Sequence, residues 1–433
     1  MDKKLLKEIA LEQNRSLNSL DLGIERENLS PMATYFSMPH TVVISGIRRV
    51  GKSTLLAQII NRFCKEGHYY LNFEDERLIK FEVEDFNNLY EIFVELFGEK
   101  RVFFFDEIQN APKWEIFVRR MQDKGFKFFI TGSNASLLSK ELGTRLTGRS
   151  IIQDLYPFSF REFLLFQGYQ PSKDALSYTS ERGIIKKHFS EYLEKGGMPE
   201  CLKYKDPIIL KRSYEDILYR DIVARHDIKE IKALRELGLY LLSNITGLVS
   251  YNNLKRILQL GSVNTVKNYL DYMEDSFLLF TISRFSYSLK QQFVAHKKIY
   301  CIDNGLMESI AFQFSKNRGR FLENAVFLEL KRKFKEIYYY KTSNNLEVDF
   351  LIREGKNIIF LIQVSGSLDQ KEVRKREINA LVSAMDELNL DEALILTEDN
   401  EEKIKIKDKL ILVMPIYKWL LEDKTKLSHH WMF

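Results

Sequence analysis

An eight-residue segment limits the possible folds of this chain more than any other feature. Gly46-Ile-Arg-Arg-Val-Gly-Lys-Ser53 has the spacing G-x-x-x-x-G-K-[ST]. It follows an apolar strand, Thr41–Ser45, and precedes a helical pattern that runs from about Ser53 to Cys64. Glycines at these positions let a short loop turn its backbone N–H groups towards one centre, beside the positive end of a helix. The segment therefore predicts a polyphosphate site at the end of a parallel strand.

The pattern of this loop also predicts roles for its individual residues. Lys52 is expected to pair with the β- and γ-phosphates of ATP, and the hydroxyl of Ser53 is expected to bind Mg²⁺. Arg48 and Arg49 are expected to order neighbouring groups more than to touch phosphates. The predicted ATP-binding residues are Gly46, Ile47, Arg48, Arg49, Val50, Gly51, Lys52, Ser53 and Thr54.

A second strand ends in two acidic residues. Val102–Phe105 is apolar throughout, and Asp106 and Glu107 follow it directly. Open parallel sheets bind ligands beyond the carboxyl ends of their strands, so Asp106 is expected to hold Mg²⁺, directly or through water. Glu107 is then placed to polarise an attacking water. The alternative is a solvated strand end without a catalytic role.

Composition bounds the class of protein. A length of 433 residues suggests about three domains. The net charge of +5 permits DNA binding but does not argue for it. Cys64, Cys201 and Cys301 are far apart, which disfavours a disulfide framework or a structural zinc site. No apolar run approaches the ~20 residues of a membrane span, so we expect a cytoplasmic protein without membrane association.

Ten short motifs occur one after another along nearly the whole chain. They are GIRRVGKST, FFFDEIQ, FITGSNASLL, LTGRS, LYPFSFREFL, GGMPE, YRDIV, KIYCIDNGL, GRFLENAVFLEL and EVDFLI. This ordered set resembles the prokaryotic AAA-type ATPases that carry a C-terminal restriction-endonuclease-like domain. The resemblance implies an α/β fold with three parts. These are a P-loop AAA-type ATPase core at residues 1–165, a helical lid with a winged helix at 166–295, and a PD-(D/E)XK nuclease-like domain at 296–433.

The resemblance also implies further catalytic residues in the ATPase core. Ser133 or Asn134, at the tip of the strand Phe126–Thr131, would contact the γ-phosphate and the water. A helix N-cap at that point is the alternative. Arg149, or else Arg145, would neutralise transition-state charge on the phosphate of a neighbouring subunit. A solvated or locally paired arginine is the alternative reading of both.

Two helical patterns separated by Gly261 predict a helix-turn-helix in the middle of the chain. The second, Ser262–Met273, has apolar residues at helical spacing, and the predicted buried face is Val263, Val266, Tyr269, Leu270 and Met273. The outward residues, expected to contact DNA, are Asn264, Thr265, Lys267 and Asn268. The surrounding cations expected on phosphates are Lys255, Arg256, Lys290, Lys297 and Lys298. A strand pair, Ser276–Arg284 and Lys297–Cys301, would complete a winged helix, and packing against protein is the alternative.

The C-terminal segment resembles the PD-(D/E)XK nuclease core, which implies a candidate metal site of Glu323, Asp349 and Gln363. Two departures bear on cleavage. Ser365 occupies the usual lysine position, and Gln363 replaces a carboxylate. Either the lysine role has moved, with Lys371 as the candidate, or the domain no longer cuts. We expect no nuclease activity.

The sequence as a whole predicts an oligomeric, Mg²⁺-dependent ATP hydrolase. Its turnover is expected to drive the binding and remodelling or translocation of duplex or branched DNA. Two alternatives stay open. One is an ATP-gated nuclease, and the other is a nucleotide switch that scaffolds proteins without nucleic acid.

Overall fold

The structure is a computed structural model, and it describes residues 1–64, 67–133, 146, 148–172, 174–311 and 318–422. Asn134 and Arg145 lie outside these residues. The chain forms two compact units. The first combines Met1–Tyr156 with Tyr219–Ile222 and Asp275–Phe277, and the second comprises Pro157–Leu218, Val223–Glu274 and Leu278–Phe433.

A parallel five-stranded sheet is the centre of the first unit. Its strands are β1 (Thr41–Ser45), β2 (Tyr69–Asn72), β3 (Val102–Asp106), β4 (Lys127–Gly132) and β5 (Ser150–Asp154). Their order is β2-β3-β4-β1-β5, with every neighbouring pair parallel. The strands are almost continuously apolar because helices cover both faces of such a sheet. β4 lies between β1 and β3, so its tip falls between the glycine-containing loop and the acidic strand end.

Five helices accompany this sheet. They are α1 (Lys3–Asn18), α2 (Met32–Ser37), α3 (Lys52–Phe63), α4 (Asp85–Phe97) and α5 (Trp114–Gln122). Helix α1 buries Leu6 and Ile9 in an aromatic core. In that core the rings of Phe103 and Phe128 stack at 4.8 Å. The core therefore holds α1 on the five-stranded sheet.

The second unit contains twelve α-helices of six or more residues among the described residues. They are α6 (Phe160–Phe166), α7 (Thr179–Lys195), α8 (Pro199–Tyr204), α9 (Ile208–Asp216), α10 (Ile231–Ser243), α11 (Tyr251–Ile257), α12 (Val263–Asp275), α13 (Leu289–Val294), α14 (Asn304–Ile310), α15 (Arg318–Lys333), α16 (Lys371–Leu388) and α17 (Ile416–Leu421). After α9 the chain continues through a π-helical stretch, Ile217–Val223, and a short turn, Ala224–His226. Among the described residues, we find no helix with the length and apolar character to cross a membrane.

A mixed nine-stranded sheet runs through the second unit. Its strands are β6 (Leu248–Val249), β7 (Leu279–Arg284), β8 (Lys297–Cys301), β9 (Glu336–Lys341), β10 (Glu347–Glu354), β11 (Asn357–Val364), β12 (Glu392–Thr397), β13 (Glu402–Ile406) and β14 (Lys409–Pro415). Their order is β13-β14-β12-β11-β10-β9-β7-β8-β6. β7 pairs in parallel with β9 through Ser283 and Tyr338. Strands from both sides of residue 295 therefore share one sheet, and the domain boundary at that residue stays a prediction.

One end of this sheet carries the predicted helix-turn-helix. α10, β6, α11, α12, β7 and β8 follow one another along the chain, and β8 pairs with both β6 and β7. Helix α12 buries Val266, Tyr269, Leu270 and Met273, which confirms these four residues of the predicted apolar face. The connection between β7 and β8 contains the helix α13, where the sequence suggested only a wing. Ser288 caps this helix by accepting from the N–H of Gln291.

Candidate nucleotide-binding site

Two glycines let the backbone of the loop between β1 and α3 turn tightly and pack closely against neighbouring backbone. Gly51 adopts φ +97°, a left-handed conformation that favours glycine. A Cβ atom on Gly46 would lie 2.4 Å from the carbonyl oxygen of Leu155, so a side chain there would displace backbone. Within the described residues no side chain caps the N-terminus of α3. Its first N–H groups are therefore available to an anion.

Lys52 connects this loop to the acidic end of β3. Its side chain is only 4% exposed, and its Nζ lies 3.1 Å from Oε1 of Glu107. The same ammonium donates to the carbonyl oxygens of Gly46 at 3.2 Å and Ile47 at 3.4 Å. The loop and Glu107 therefore hold the Lys52 ammonium beside the loop that is expected to bind phosphates.

Asp106 and Ser53 form the pair of oxygen donors expected for Mg²⁺. Asp106 is completely buried at the end of β3. Burial and then the Glu107 carboxylate raise the pKa of Asp106, while hydrogen bonds from Ser53 and Thr131 oppose that rise. A hydroxyl and a carboxylate in direct contact are ligand types that Mg²⁺ accepts. These residues therefore fit a magnesium ion bound together with phosphates.

Thr131 ties the two acidic residues together, a role that the sequence analysis missed. Its Oγ1 donates to Oδ1 of Asp106 and accepts from the N–H of Glu107 at 2.9 Å. The second bond fixes Glu107 at φ +47°, a left-handed conformation uncommon for glutamate. A threonine at the end of an otherwise apolar buried strand was the available signal.

Gln109 orients the carboxylate of Glu107. Its Nε2 donates to Oε2 of Glu107 at 2.5 Å and lies 3.5 Å from Oγ of Ser133. Burial favours the neutral acid, but the Lys52 ammonium and the Gln109 amide together hold the pKa of Glu107 below its usual range. Glu107 is therefore ionised at neutral pH and can accept a hydrogen bond from water.

The two remaining catalytic candidates lie in different places. Ser133 directly follows β4, is buried, and faces the Glu107 cluster through Gln109. Arg149 precedes β5, whose residue Ser150 pairs with Thr41 at the start of β1. It therefore lies at the end of the sheet opposite to the loop, and it forms an ion pair with Asp123.

Two arginines brace the loop. Arg48 contacts Oε1 of Glu74 at 2.8 Å and Oδ2 of Asp221 at 3.4 Å, where Asp221 is a buried residue of the π-helical stretch. Arg26, which the sequence analysis did not single out, donates to the carbonyl oxygens of Val50 at 3.0 Å and Tyr156 at 2.6 Å. The loop is thus tied to residues outside it by the side chains of Arg48 and Arg26.

The candidate DNA-binding side chains lie on the expected face of α11 and α12. Asn264, Lys267, Asn268 and Arg256 are exposed, and Thr265 and Lys255 are partly exposed. Lys267 also lies 5.5 Å from the ring of Tyr251.

The structure brings the three nuclease-like candidates together in the second unit. The N–H of Asp349 donates to Oε1 of Gln363 at 3.2 Å. Lys298 lies between Glu323 and Asp349 and is 2% exposed. The prediction that Lys298 contacts DNA phosphates is therefore wrong. Lys371, the candidate for a displaced lysine, is exposed at the start of α16.

Comparisons with known families match consecutive parts of the chain. A family described as "AAA domain" matches residues 39–164. Two families described as "Domain of unknown function", DUF8612 and DUF4143, match residues 186–317 and 318–419.

Two relatives match over nearly their full length. Protein MJ1544 of Methanocaldococcus jannaschii is 39% identical over 97% of this chain and 96% of the relative. A protein of Haemophilus influenzae is 30% identical over 92% of this chain and 99% of the relative.

Solved structures resemble the chain more weakly. AMPPCP-bound DnaA from Aquifex aeolicus has a TM-score of 0.24 at 15% identity, covering 57% of this chain and 85% of that one. RuvB from Thermotoga maritima has a TM-score of 0.28 at 18% identity, covering 58% and 85%. Both scores are too low to relate function. On the full-length relatives and the matched domain, the chain belongs to the family of MJ1544 and carries an AAA-type P-loop ATPase domain.

Proposed function

We propose that this protein is a Mg²⁺-dependent ATP hydrolase that acts on DNA. The observation that carries the first part is the convergence of Lys52, Ser53, Asp106 and Glu107 at the carboxyl ends of β1 and β3. An anion-binding loop, a pair of oxygen ligands and an ionised carboxylate are the parts that hydrolysis of a phosphoanhydride needs.

The residues divide the work of hydrolysis between binding and positioning. The N–H groups of the loop and the Lys52 ammonium bind the β- and γ-phosphates, and Ser53 and Asp106 hold Mg²⁺, which neutralises phosphate charge when bound. Lys52 contacts Glu107 at 3.1 Å in the structure, so a γ-phosphate competes for this ammonium. Glu107 is then free to accept a hydrogen bond from water and to aim it at phosphorus.

A binding measurement tests this assignment. Lys52→Ala should weaken ATP binding at least tenfold, because one desolvated ammonium–phosphate contact is worth more than about 1.4 kcal/mol. Arg62→Ala is the matched control, since Arg62 is a cation in the last turn of the same helix and pairs with Glu25. Equal affinities for Lys52→Ala and Arg62→Ala would contradict the assignment.

We infer further that hydrolysis needs a second copy of the chain. Arg149 lies at the end of β5 opposite to the loop, so it cannot reach a phosphate held by its own loop. An arginine supplied by a neighbouring subunit would release Asp123 and face that subunit's phosphates. ATPase activity per subunit should then rise with protein concentration, and Arg149→Ala should abolish the rise without weakening ATP binding.

The order of elements in α10 to β8 supports DNA as the partner. Three helices are followed by an antiparallel strand pair, with β6 on the outer side of β8, and this order of elements supports the proposal of a winged helix. Helix α12, the second helix of the pair α11–α12, exposes Asn264, Lys267 and Asn268, which can contact bases and phosphates.

A specific surface favours the scaffold alternative. Tyr287, Leu289, Phe293 and Val294 on and beside α13 are 66–82% exposed, and exposed apolar clusters serve protein contacts. Electrophoretic mobility shifts with duplex, single-stranded and branched DNA, repeated over a salt series, separate the two proposals. Binding that weakens with salt supports the DNA function, whereas no binding to any DNA favours the nucleotide-switch scaffold.

A further inference from the structure

The carboxylates that resemble a nuclease metal site surround a lysine. Lys298 lies on β8, and its side chain is 3% exposed. Its Nζ is 2.7 Å from Oδ1 of Asp349, 2.8 Å from Oε1 of Glu323 and 3.1 Å from Oε1 of Glu347. An ammonium has three hydrogens, and each has a carboxylate oxygen within hydrogen-bond distance. The ammonium thus occupies the centre of the carboxylate cluster.

Asp349, Glu323 and Gln363 also make hydrogen bonds to groups other than Lys298. Oδ2 of Asp349 accepts from the N–H of Val364 at 2.9 Å, and Oε1 of Glu323 also accepts from the hydroxyl of Tyr300 at 2.8 Å. The side chain of Gln363 accepts from the N–H of Asp349 and donates to Oε2 of Glu377 at 2.7 Å. The three presumed ligands therefore all make hydrogen bonds or ion pairs within the protein.

Charge and burial keep the cation in place. Burial disfavours an ammonium, but Asp349 and Glu323 raise the pKa of Lys298 well above its ordinary value. Among the described residues, no group of three or more His, Cys, Asp or Glu side chains is arranged to hold a metal ion.

We propose that Lys298 is an internal cation that occupies the place of a divalent metal between Glu323 and Asp349. The nuclease-like domain is consequently closed to Mg²⁺ and does not cleave DNA. The cluster instead joins β8, which lies between β7 and β6, to β10 and α15. Removing one partner of such a buried ionic cluster leaves uncompensated charge, so the link is costly to break.

The proposal predicts that removal of the lysine opens a metal site. Mn²⁺ binding to the full-length protein without nucleotide is followed by electron paramagnetic resonance of the free ion. Lys298→Ala should bind one additional Mn²⁺ per chain, because the three carboxylates that contact Lys298 then lack a cation. Asp349→Asn in the Lys298→Ala background should remove that ion. Lys297→Ala is the matched control, since Lys297 is on the same strand but donates to Ser283 at 2.7 Å.

A second comparison does not depend on the folding of Lys298→Ala. Wild type and Asp349→Asn should bind Mn²⁺ equally, and both should leave plasmid DNA intact with Mg²⁺ or Mn²⁺. A wild-type Mn²⁺ site or plasmid cleavage that Asp349→Asn removes would overturn the proposal. So would a folded Lys298→Ala protein, judged by its circular dichroism, that gains no Mn²⁺.

Discussion

Thr131 holds the acidic end of β3 together, and replacing it with valine isolates that effect. Valine has the shape of threonine without the hydroxyl, so it leaves no cavity. The change removes the bond to Oδ1 of Asp106 and the 2.9 Å bond from the N–H of Glu107. A hydrogen bond to a charged group contributes about 1.5–3 kcal/mol, and a buried N–H left without a partner costs about 1–3 kcal/mol. We therefore expect Thr131→Val to lower the free energy of unfolding by about 3 kcal/mol.

Activity should fall together with stability. Without its bond to Thr131, Glu107 is no longer fixed in its left-handed conformation, and its carboxylate loses the orientation that Gln109 and Lys52 share. Misplacing one catalytic group by about 1 Å can cost on the order of a hundredfold in rate. We expect the kcat for ATP to fall at least tenfold, with little change in ATP affinity, because Lys52 and the loop are untouched.

Urea denaturation and steady-state ATP hydrolysis measure the two effects. Thr131→Ser is the matched control, because it keeps the hydroxyl and deletes one methyl group, worth about 1 kcal/mol. The serine variant should therefore retain most of the activity. A valine variant that unfolds and hydrolyses ATP like wild type would refute the role assigned to Thr131.

Three further predictions follow from buried charges and from the exposed cations. Arg48→Ala should lower the free energy of unfolding, measured in urea, by about 1–3 kcal/mol, because the buried Asp221 loses a cation. Arg48→Lys should recover part of that loss. Equal stabilities of wild type and Arg48→Ala would contradict this prediction. Burial raises the pKa of Asp303 to about 6 from 3.8, so folding favours its protonated form, and this stabilisation is full below about pH 4 and lost as the pH rises through 6. Asp303→Asn should therefore remove about 2.4 kcal/mol of the change in unfolding free energy between pH 4 and pH 7, and an unchanged pH dependence would exclude the assignment. Lys255→Ala with Arg256→Ala should reduce the slope of log affinity for DNA against log salt by about 2, whereas Lys403→Ala with Lys405→Ala on β13 should leave it unchanged.

Local patterns predicted much of the fold and the parts of the site that one motif contains. The loop requires a strand before it and a helix after it, so β1 and α3 followed directly from Gly46–Ser53. The buried face of α12 followed from apolar spacing, since that spacing determines which side chains share a face. These predictions succeed because each depends on residues close together in the chain.

Such patterns cannot predict contacts between segments that are far apart in the chain. Thr131 meets Asp106 across 25 residues, and Lys298 meets Asp349 across 51. Spacing showed Lys298 only as one basic residue among several and placed it on DNA. In the sheet, β8 pairs with β7, β7 pairs with β9, and β9 pairs with β10. This strand order places Lys298 in the same sheet as the carboxylates of β10. A sequence pattern shows that a side chain is polar, but not which buried group it neutralises.

ATP binding and hydrolysis by Glu107→Gln test the central claim most directly. The amide has the size of the carboxylate but lacks its charge, so it cannot polarise water in the same way. The loop, Lys52, Ser53 and Asp106 remain in place to bind nucleotide. We expect ATP to bind within about threefold of the wild-type affinity while kcat falls about 10²–10⁴-fold, the usual contribution of a positioned general base. Turnover at the wild-type rate by Glu107→Gln would contradict the catalytic site described for this protein.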